Sequence, residues 1–191
     1  SATIHAVEML RNTIPIPIIG MEPGVKPAAA KTRSGVVGIL ATEASIAGEK
    51  FHRLLDIHAS GIRVITQPCP RFVELVEAGE IDGSEVEEAV SEIVDPLLEA
   101  GCDVLVLGCT HYPFLKEAIR AAIPESVELI DTGPAVARRV KEVAGAWFGE
   151  GDGSGKTIVE TSGDLDLLRR LLPILLPEIK CDSAQFSERI A

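Results

Sequence analysis

Cys109, Thr110 and His111 set a thiol, a hydroxyl and an imidazole in three consecutive positions. A run of β-formers, Val104 to Leu107, leads into them and ends at Gly108, and Pro113 follows where a helix would begin. Proline suits the first turn of a helix, where a missing N–H costs little. In an open α/β sheet, ligands bind at the carboxyl ends of strands. The free N–H groups of the next helix favour an anion there, a thiolate included. Cys109 therefore stands where a reactive thiol would be placed. A packing cysteine between strand and helix fits the same position, because free Cys is among the most buried residue types.

Other polar residues fall at comparable points: Thr42 and Ser45 after one strand, Cys69 after another, and Asp131 after a fourth. One of the two hydroxyls is accounted for as a helix N-cap. Together these residues outline a small polar pocket with no lysine and no metal-ligand cluster, so no metal is expected. A thiol in such a pocket can serve as general acid or base, or as a nucleophile. Sequence neighbours rarely face each other on a strand-to-helix turn, and a Cys–His dyad is normally assembled from distant segments. A thiol hydrolase or transferase built on Cys109 and a non-catalytic amino-acid-binding domain both stay open. Cys69, Cys102 and Cys181 read as packing residues, and His5, His52 and His58 as surface or packed residues.

The elements that would position these groups alternate between strand and helix. Residues 1–11 predict a helix and 16–20 a strand, with Pro15 and Pro17 placing it at an edge. A short helix over 25–32, a buried strand over 36–41 and a helix to about 58 come next. A strand over 61–66, the loop 67–70 and a short helix over 72–78 follow. The longer helix over 84–100 has apolar periodicity at Val86, Val90, Ile93, Val94, Leu97 and Leu98, with Glu85, Glu87, Glu88 and Glu92 on its wet face. After the central strand come a helix over 113–123, a strand over 127–131 and a helix over 133–148. Residues 149–156 read as a linker. Its Gly-Ser-Gly-Lys-Thr ending mimics part of a phosphate loop, but Gly151 to Gly155 is one residue short of the spacing and no apolar strand precedes it. A strand over 157–161 and a helix over 164–176 close the pattern, and the tail from Lys180 shows none. The class is α/β with mostly parallel sheets flanked by helices.

Composition narrows the function. The 191 residues are 46% apolar, enough for a sizeable core, and no apolar run is long enough to span a membrane. The net charge of −11 argues against a nucleic-acid surface. Four cysteines without C-x-x-C spacing predict free thiols and a cytoplasmic setting. The sequence opens without Met, on a helix that feeds a parallel strand. This predicts the C-terminal portion of a longer protein.

Leu105-Val-Leu-Gly-Cys-Thr-His-Tyr-Pro-Phe-Leu115 resembles the second cysteine motif of the aspartate/glutamate racemase family. Four further segments match in order. Pro17-Ile-Ile-Gly-Met-Glu-Pro-Gly24 is similar to the family's Val-Ile-Glu-Pro-Gly stretch. Val37-Gly-Ile-Leu-Ala-Thr-Glu-Ala-Ser45 is similar to Gly-Thr-x-Ala-Thr, with Ala41 for Gly and Ser45 for Thr. Cys69-Pro-Arg-Phe-Val-Glu-Leu-Val-Glu-Ala-Gly79 is similar to its Cys-Pro-x-Phe-Val-Pro-Leu-Val-Glu-Glu-Gly segment, with Glu74 for Pro. Leu129-Ile-Asp-Thr132 fits the next strand. His111 favours the glutamate branch. The family's first half, with its Cys-Asn-Thr motif and other catalytic cysteine, has no counterpart in this sequence.

The resemblance implies a two-domain α/β fold with one domain incomplete: residues 1–24 and 133–191 from one domain, 25–132 from the other. It implies a cofactor-independent, two-cysteine exchange between L- and D-glutamate that supplies peptidoglycan synthesis. Cys109 would be one acid–base thiol, His111 its partner, and Glu77 the residue that polarises the histidine. Thr42, Ser45 and Thr110 would bind the substrate's carboxylates and amine. A homodimer is expected, with no racemisation by this chain alone.

Overall fold

The computed structural model describes residues 2–149, 156–179 and 181–187. In chain order come α1 (Ala2–Thr13), α2 (Val25–Lys31), β1 (Val36–Ala41), α3 (Glu43–Ile46), α4 (Glu49–His58), β2 (Arg63–Pro68), α5 (Pro70–Ala78) and α6 (Ser84–Glu99). Then follow β3 (Val104–Leu107), a 3-10 turn (Tyr112–Leu115), α7 (Lys116–Ala122), β4 (Glu128–Asp131), α8 (Gly133–Phe148), β5 (Ile158–Thr161), α9 (Leu165–Leu175) and β6 (Ser183–Phe186). Four strands form one parallel sheet in the order β2-β1-β3-β4, and β5 pairs with β6 in parallel in a second, two-stranded sheet. The α/β reading with parallel sheets flanked by helices holds.

Side-chain alternation along the two central strands builds a core on each face of the main sheet. Val37, Ile39 and Ala41 of β1 and Val104 and Val106 of β3 pack with Val25 and Ala28 of α2 and Phe51 of α4. Leu40 of β1 and Leu105 and Leu107 of β3 point the other way, into Phe72, Val90, Leu97 and Ile119 from α5, α6 and α7. Each Val, Leu, Ile or Phe among them, fully buried, contributes about 1.5–3 kcal/mol relative to exposure. From β1 the chain passes to β2 on one side and then crosses to β3 on the other. The strand order therefore reverses between β1 and β3, and the crevice outside their carboxyl ends is where this architecture places ligands.

Asp103, just before β3, ties the entrance of that strand to the loop between α2 and β1. It accepts from Thr32 Oγ1 (2.6 Å) and from the amides of Arg33 (2.7 Å) and Ser34 (2.8 Å). Burial alone would raise this carboxyl, but those donors hold it down at about 2.

Several local expectations are corrected. Residues 16–20 form no strand: Pro15 and Pro17 lack ladder donors, and the segment instead lies by α1, where Arg11 Nε donates to Ile18 O (3.2 Å). The single helix expected to reach residue 58 breaks at Ala47–Gly48 into α3 and α4, because Gly48 takes an extended conformation with ψ 132°. The third strand and the helix after it are displaced to 63–68 and 70–78. Around Pro113 the chain makes a 3-10 turn (Tyr112–Leu115) before α7 starts at Lys116. The patternless tail contributes β6, whose ladder partner β5 supplies what local periodicity lacks. The wet face of α6 is solvated as expected, and Arg71 of α5 reaches across to Glu85, Glu88 and Glu92 at 3.8, 3.4 and 3.2 Å. Of the linker, residues 150–155 lie outside the described residues. Among the described residues, no helix is long and apolar enough to cross a membrane.

Candidate active site

The turn that carries the thiol is set by a close approach of two strands. Gly108 N donates to Leu40 O at 2.7 Å. A Cβ on residue 108 would lie 2.6 Å from that same oxygen, so glycine is what lets β3 end against β1. The chain then folds back at once. His111 is αR (φ −76°, ψ −37°), Tyr112 N donates to Cys109 O (3.3 Å) and Phe114 N to His111 O (3.1 Å).

This tight turn corrects the expectation that Cys109 and His111 face apart. Cys109 Sγ lies 3.7 Å from His111 Nδ1. On the other side of the ring, His111 Nε2 is 2.6 Å from Glu77 Oε1 of α5. An ionised carboxylate only accepts, so the ring proton belongs on Nε2 and Nδ1 is left to accept from the thiol. The three groups form a relay from carboxylate to imidazole to thiol, partly open to solvent. Glu77 is held in place by its helix: α5 begins on Pro70 and is closed by Gly79 at φ 86°, with Glu80 N bonded to Leu75 O (2.9 Å).

The hydroxyls sit at the adjacent strand end. Thr42 is the N-cap of α3: its Oγ1 accepts from Ser45 N (3.2 Å) and donates to Ser45 Oγ (2.9 Å). Ser45 is buried at 4% exposure, whereas Thr110 is exposed. The outline of a pocket without lysine is corrected at Asp131. Lys116 Nζ stands 3.9 Å from Asp131 Oδ2, and Asp131 Oδ1 accepts from Gly133 N (2.8 Å).

One buried neighbour, Tyr112, escaped the sequence reading, and another, Cys69, is packed as expected. Tyr112 is fully buried, and its hydroxyl donates to Cys69 O at 3.2 Å. Cys69 is buried as well, with its thiol directed to Gln67 O (3.2 Å). Burial pushes that thiol up to about 12, outweighing the lowering influence of the neighbouring Tyr112 hydroxyl, and nearby Cys109 adds to the rise. Cys69 thus stays a neutral thiol in the core. A tyrosine among apolar residues after a strand end was the only sequence signal for this arrangement. Cys102 lies before β3, at the opposite end of the strand, and burial raises its thiol to about 11. Among the described residues no group of three or more His, Cys, Asp or Glu side chains could hold a metal ion.

Residues 1–140 match the family model for Asp/Glu/Hydantoin racemase. The chain belongs to this racemase family. It is 50% identical to the glutamate racemase of Pseudomonas putida KT2440 over 178 residues, covering 92% of this chain and 67% of the relative. It is also 50% identical to that of Herpetosiphon aurantiacus over 146 residues, covering 76% of this chain and 58% of the relative. Among solved structures, Escherichia coli glutamate racemase with L-glutamate and the activator UDP-MurNAc-Ala superposes with a TM-score of 0.80. That match has 29% identity and covers 95% of this chain and 68% of the other. The chain thus spans about two-thirds of the length of the Pseudomonas relative and of the E. coli structure.

Proposed function

We propose that this chain carries one acid–base half of a glutamate racemase, which interconverts L- and D-glutamate without a cofactor and supplies D-glutamate for peptidoglycan in the cytoplasm. The observation that carries the proposal is the Glu77–His111–Cys109 relay beside the β1/β3 switch point. The relatives named as glutamate racemases, and the L-glutamate in the E. coli structure, support the choice of substrate.

The chemistry follows from the relay. Cys109, as thiolate, takes the Cα proton; the C–H bond breaks, an S–H bond forms, and the electron pair is delocalised into the α-carboxylate. His111, hydrogen-bonded to Glu77, takes up the thiol proton before the step and so prepares the base. Thr42, Ser45 and Thr110 bind the substrate's carboxylates and amine. Inversion requires a second acid on the opposite face of Cα. We assign that acid to a group other than Cys69, Cys102 and Cys181, since the first two are buried and Cys181 adjoins the second sheet.

The test is Cα–H exchange of separate L- and D-glutamate samples in D₂O, followed by NMR. The expected result is slow exchange of one enantiomer with retention, lost in Cys109→Ser. Exchange with inversion would place both acid–base groups in this chain. No exchange of either enantiomer would remove Cys109 as a working base in it.

A further inference from the structure

The relay joins two separately built pieces of the fold. Glu77 belongs to α5, whereas Cys109 and His111 belong to the exit of β3. The Glu77 and His111 side chains are 55% and 29% exposed, so packing around them does not enforce their 2.6 Å contact. The residue next to His111 does join the two pieces. Tyr112 is 0% exposed, and its ring meets Phe72 of α5 edge to face, with centroids 5.4 Å apart and planes at 89°. Its hydroxyl donates to the carbonyl of Cys69, the N-cap residue of α5. Its own amide donates to Cys109 O. One side chain thus grips α5 at its cap and at its first turn, while its backbone closes the turn that holds the thiol and the imidazole.

We propose that Tyr112 is a positioning residue for the acid–base thiol: its buried phenol clamps α5 onto the Cys109–His111 turn and so sets the Glu77–His111 contact. The proposal rests on the reading of Cys109 as an acid–base group. Burial, with Cys69 and Cys109 close by, raises the phenol above its ordinary value, so the hydroxyl stays a donor to Cys69 O. With the Cys69 thiol also kept neutral, neither neighbour competes with Cys109 for the relay.

The clamp can be measured without turnover. Iodoacetamide is applied at neutral pH to the parent chain, Tyr112→Phe, Glu77→Gln and the double variant, and each cysteine's rate is read by peptide mass spectrometry. Cys181, half-buried beside β6, is the internal reference. Glu77→Gln removes the carboxylate charge and slows Cys109. Tyr112→Phe, which deletes a single hydrogen bond, is expected to slow Cys109 about threefold to fivefold. The double variant should be no slower than the slower single one, because both changes act through one contact. Phe72→Leu, which loosens the ring contact but keeps the hydroxyl, should act in the same direction, with the Cys181 rate unchanged throughout. An unchanged Cys109 rate in Tyr112→Phe, or effects that multiply in the double variant, would overturn the clamp. So would labelling of Cys69 and Cys102 in Tyr112→Phe, which would make Tyr112 a core residue only. A non-additive cycle in a chain that exchanges no glutamate Cα–H would leave the clamp standing and sink the racemase reading instead.

Discussion

Glu77 and His111 stand 34 residues apart in sequence and 2.6 Å apart in space. One comes from a helix packed on the face of the sheet and the other from the end of its central strand. Their contact turns a histidine next to a cysteine into an imidazole with a fixed tautomer. The free nitrogen of that ring is aimed at the thiol, which is what a proton-transfer role requires and what a solvent-facing histidine would lack.

The relay makes its members unequal, and exchange rates should show it. In the proposed reaction Cys109→Ser removes the base, and it should lower Cα–H exchange of glutamate by about a hundredfold to ten-thousandfold. Glu77→Gln leaves base and imidazole in place and weakens one charge-assisted hydrogen bond, so a loss of about tenfold is expected. NMR in D₂O reads both. Equal losses in the two variants would contradict the order of the relay.

Glycines 38 and 108 both lie in tight places, but against different neighbours. A Cβ on residue 108 meets the backbone oxygen of Leu40 at 2.6 Å, and a Cβ on residue 38 meets the end of the Leu105 side chain at the same distance. A side-chain tip can rotate away, whereas a strand carbonyl cannot move without disturbing the ladder. Gly108→Ala should therefore destabilise the chain by about 2–3 kcal/mol and Gly38→Ala by about 1 kcal/mol, within the range for overpacking. Urea denaturation of the two variants compares them directly. The reverse ranking would mean that the β1–β3 approach is more compliant than the geometry implies.

Asp103 predicts a particular acid response. Its folded value, about 2, lies below its ordinary 3.8, so its contribution is fully present above the ordinary value and is lost as pH falls through about 2. The parent chain should lose stability between about pH 4 and pH 2 partly for this reason. Asp103→Asn should be less stable near neutral pH by about 1–3 kcal/mol, the range for a hydrogen-bonded charged group, and should lose less on acidification. Thermal melts from pH 7 downward would show the two curves converging; parallel curves would rule out Asp103 as the source.

The buried strands β1 and β3 were legible as apolar runs because both of their faces are covered by helices, which makes a strand nearly continuous in Val, Ile and Leu. The same logic failed for 16–20: Ile and Pro made it look extended, but a strand exists only through its ladder partner. Ser183 to Phe186 failed in the opposite sense, since its partner makes it a strand without any local pattern. At the site, Cys109 was legible from its place after a strand. Glu77 came only with the family resemblance, because no periodicity within α5 shows which residue reaches across to another element. Local spacing alone read the Cys109–His111 contact the wrong way, and only the resemblance paired them, since the tight turn that leads into the 3-10 segment leaves no mark in composition.

Thr42 carries two readings that one pair of substitutions separates. As the N-cap of α3 it satisfies the amide of Ser45, and as part of the proposed site it would also hold a substrate carboxylate. Thr42→Ala removes both functions and should lower stability by about 1 kcal/mol. Thr42→Asn restores a side-chain oxygen of nearly equal capping strength, so stability should return to within a few tenths of a kcal/mol of the parent. Glutamate affinity should not return, because the longer amide takes the space next to Ser45, which is buried and already engaged by the Thr42 hydroxyl. Thermal melts give the first quantity and a calorimetric titration with glutamate gives the second. If Thr42→Asn recovers stability and binding together, Thr42 is a cap and nothing more. If stability recovers while binding stays lost, the strand end after β1 belongs to the substrate site.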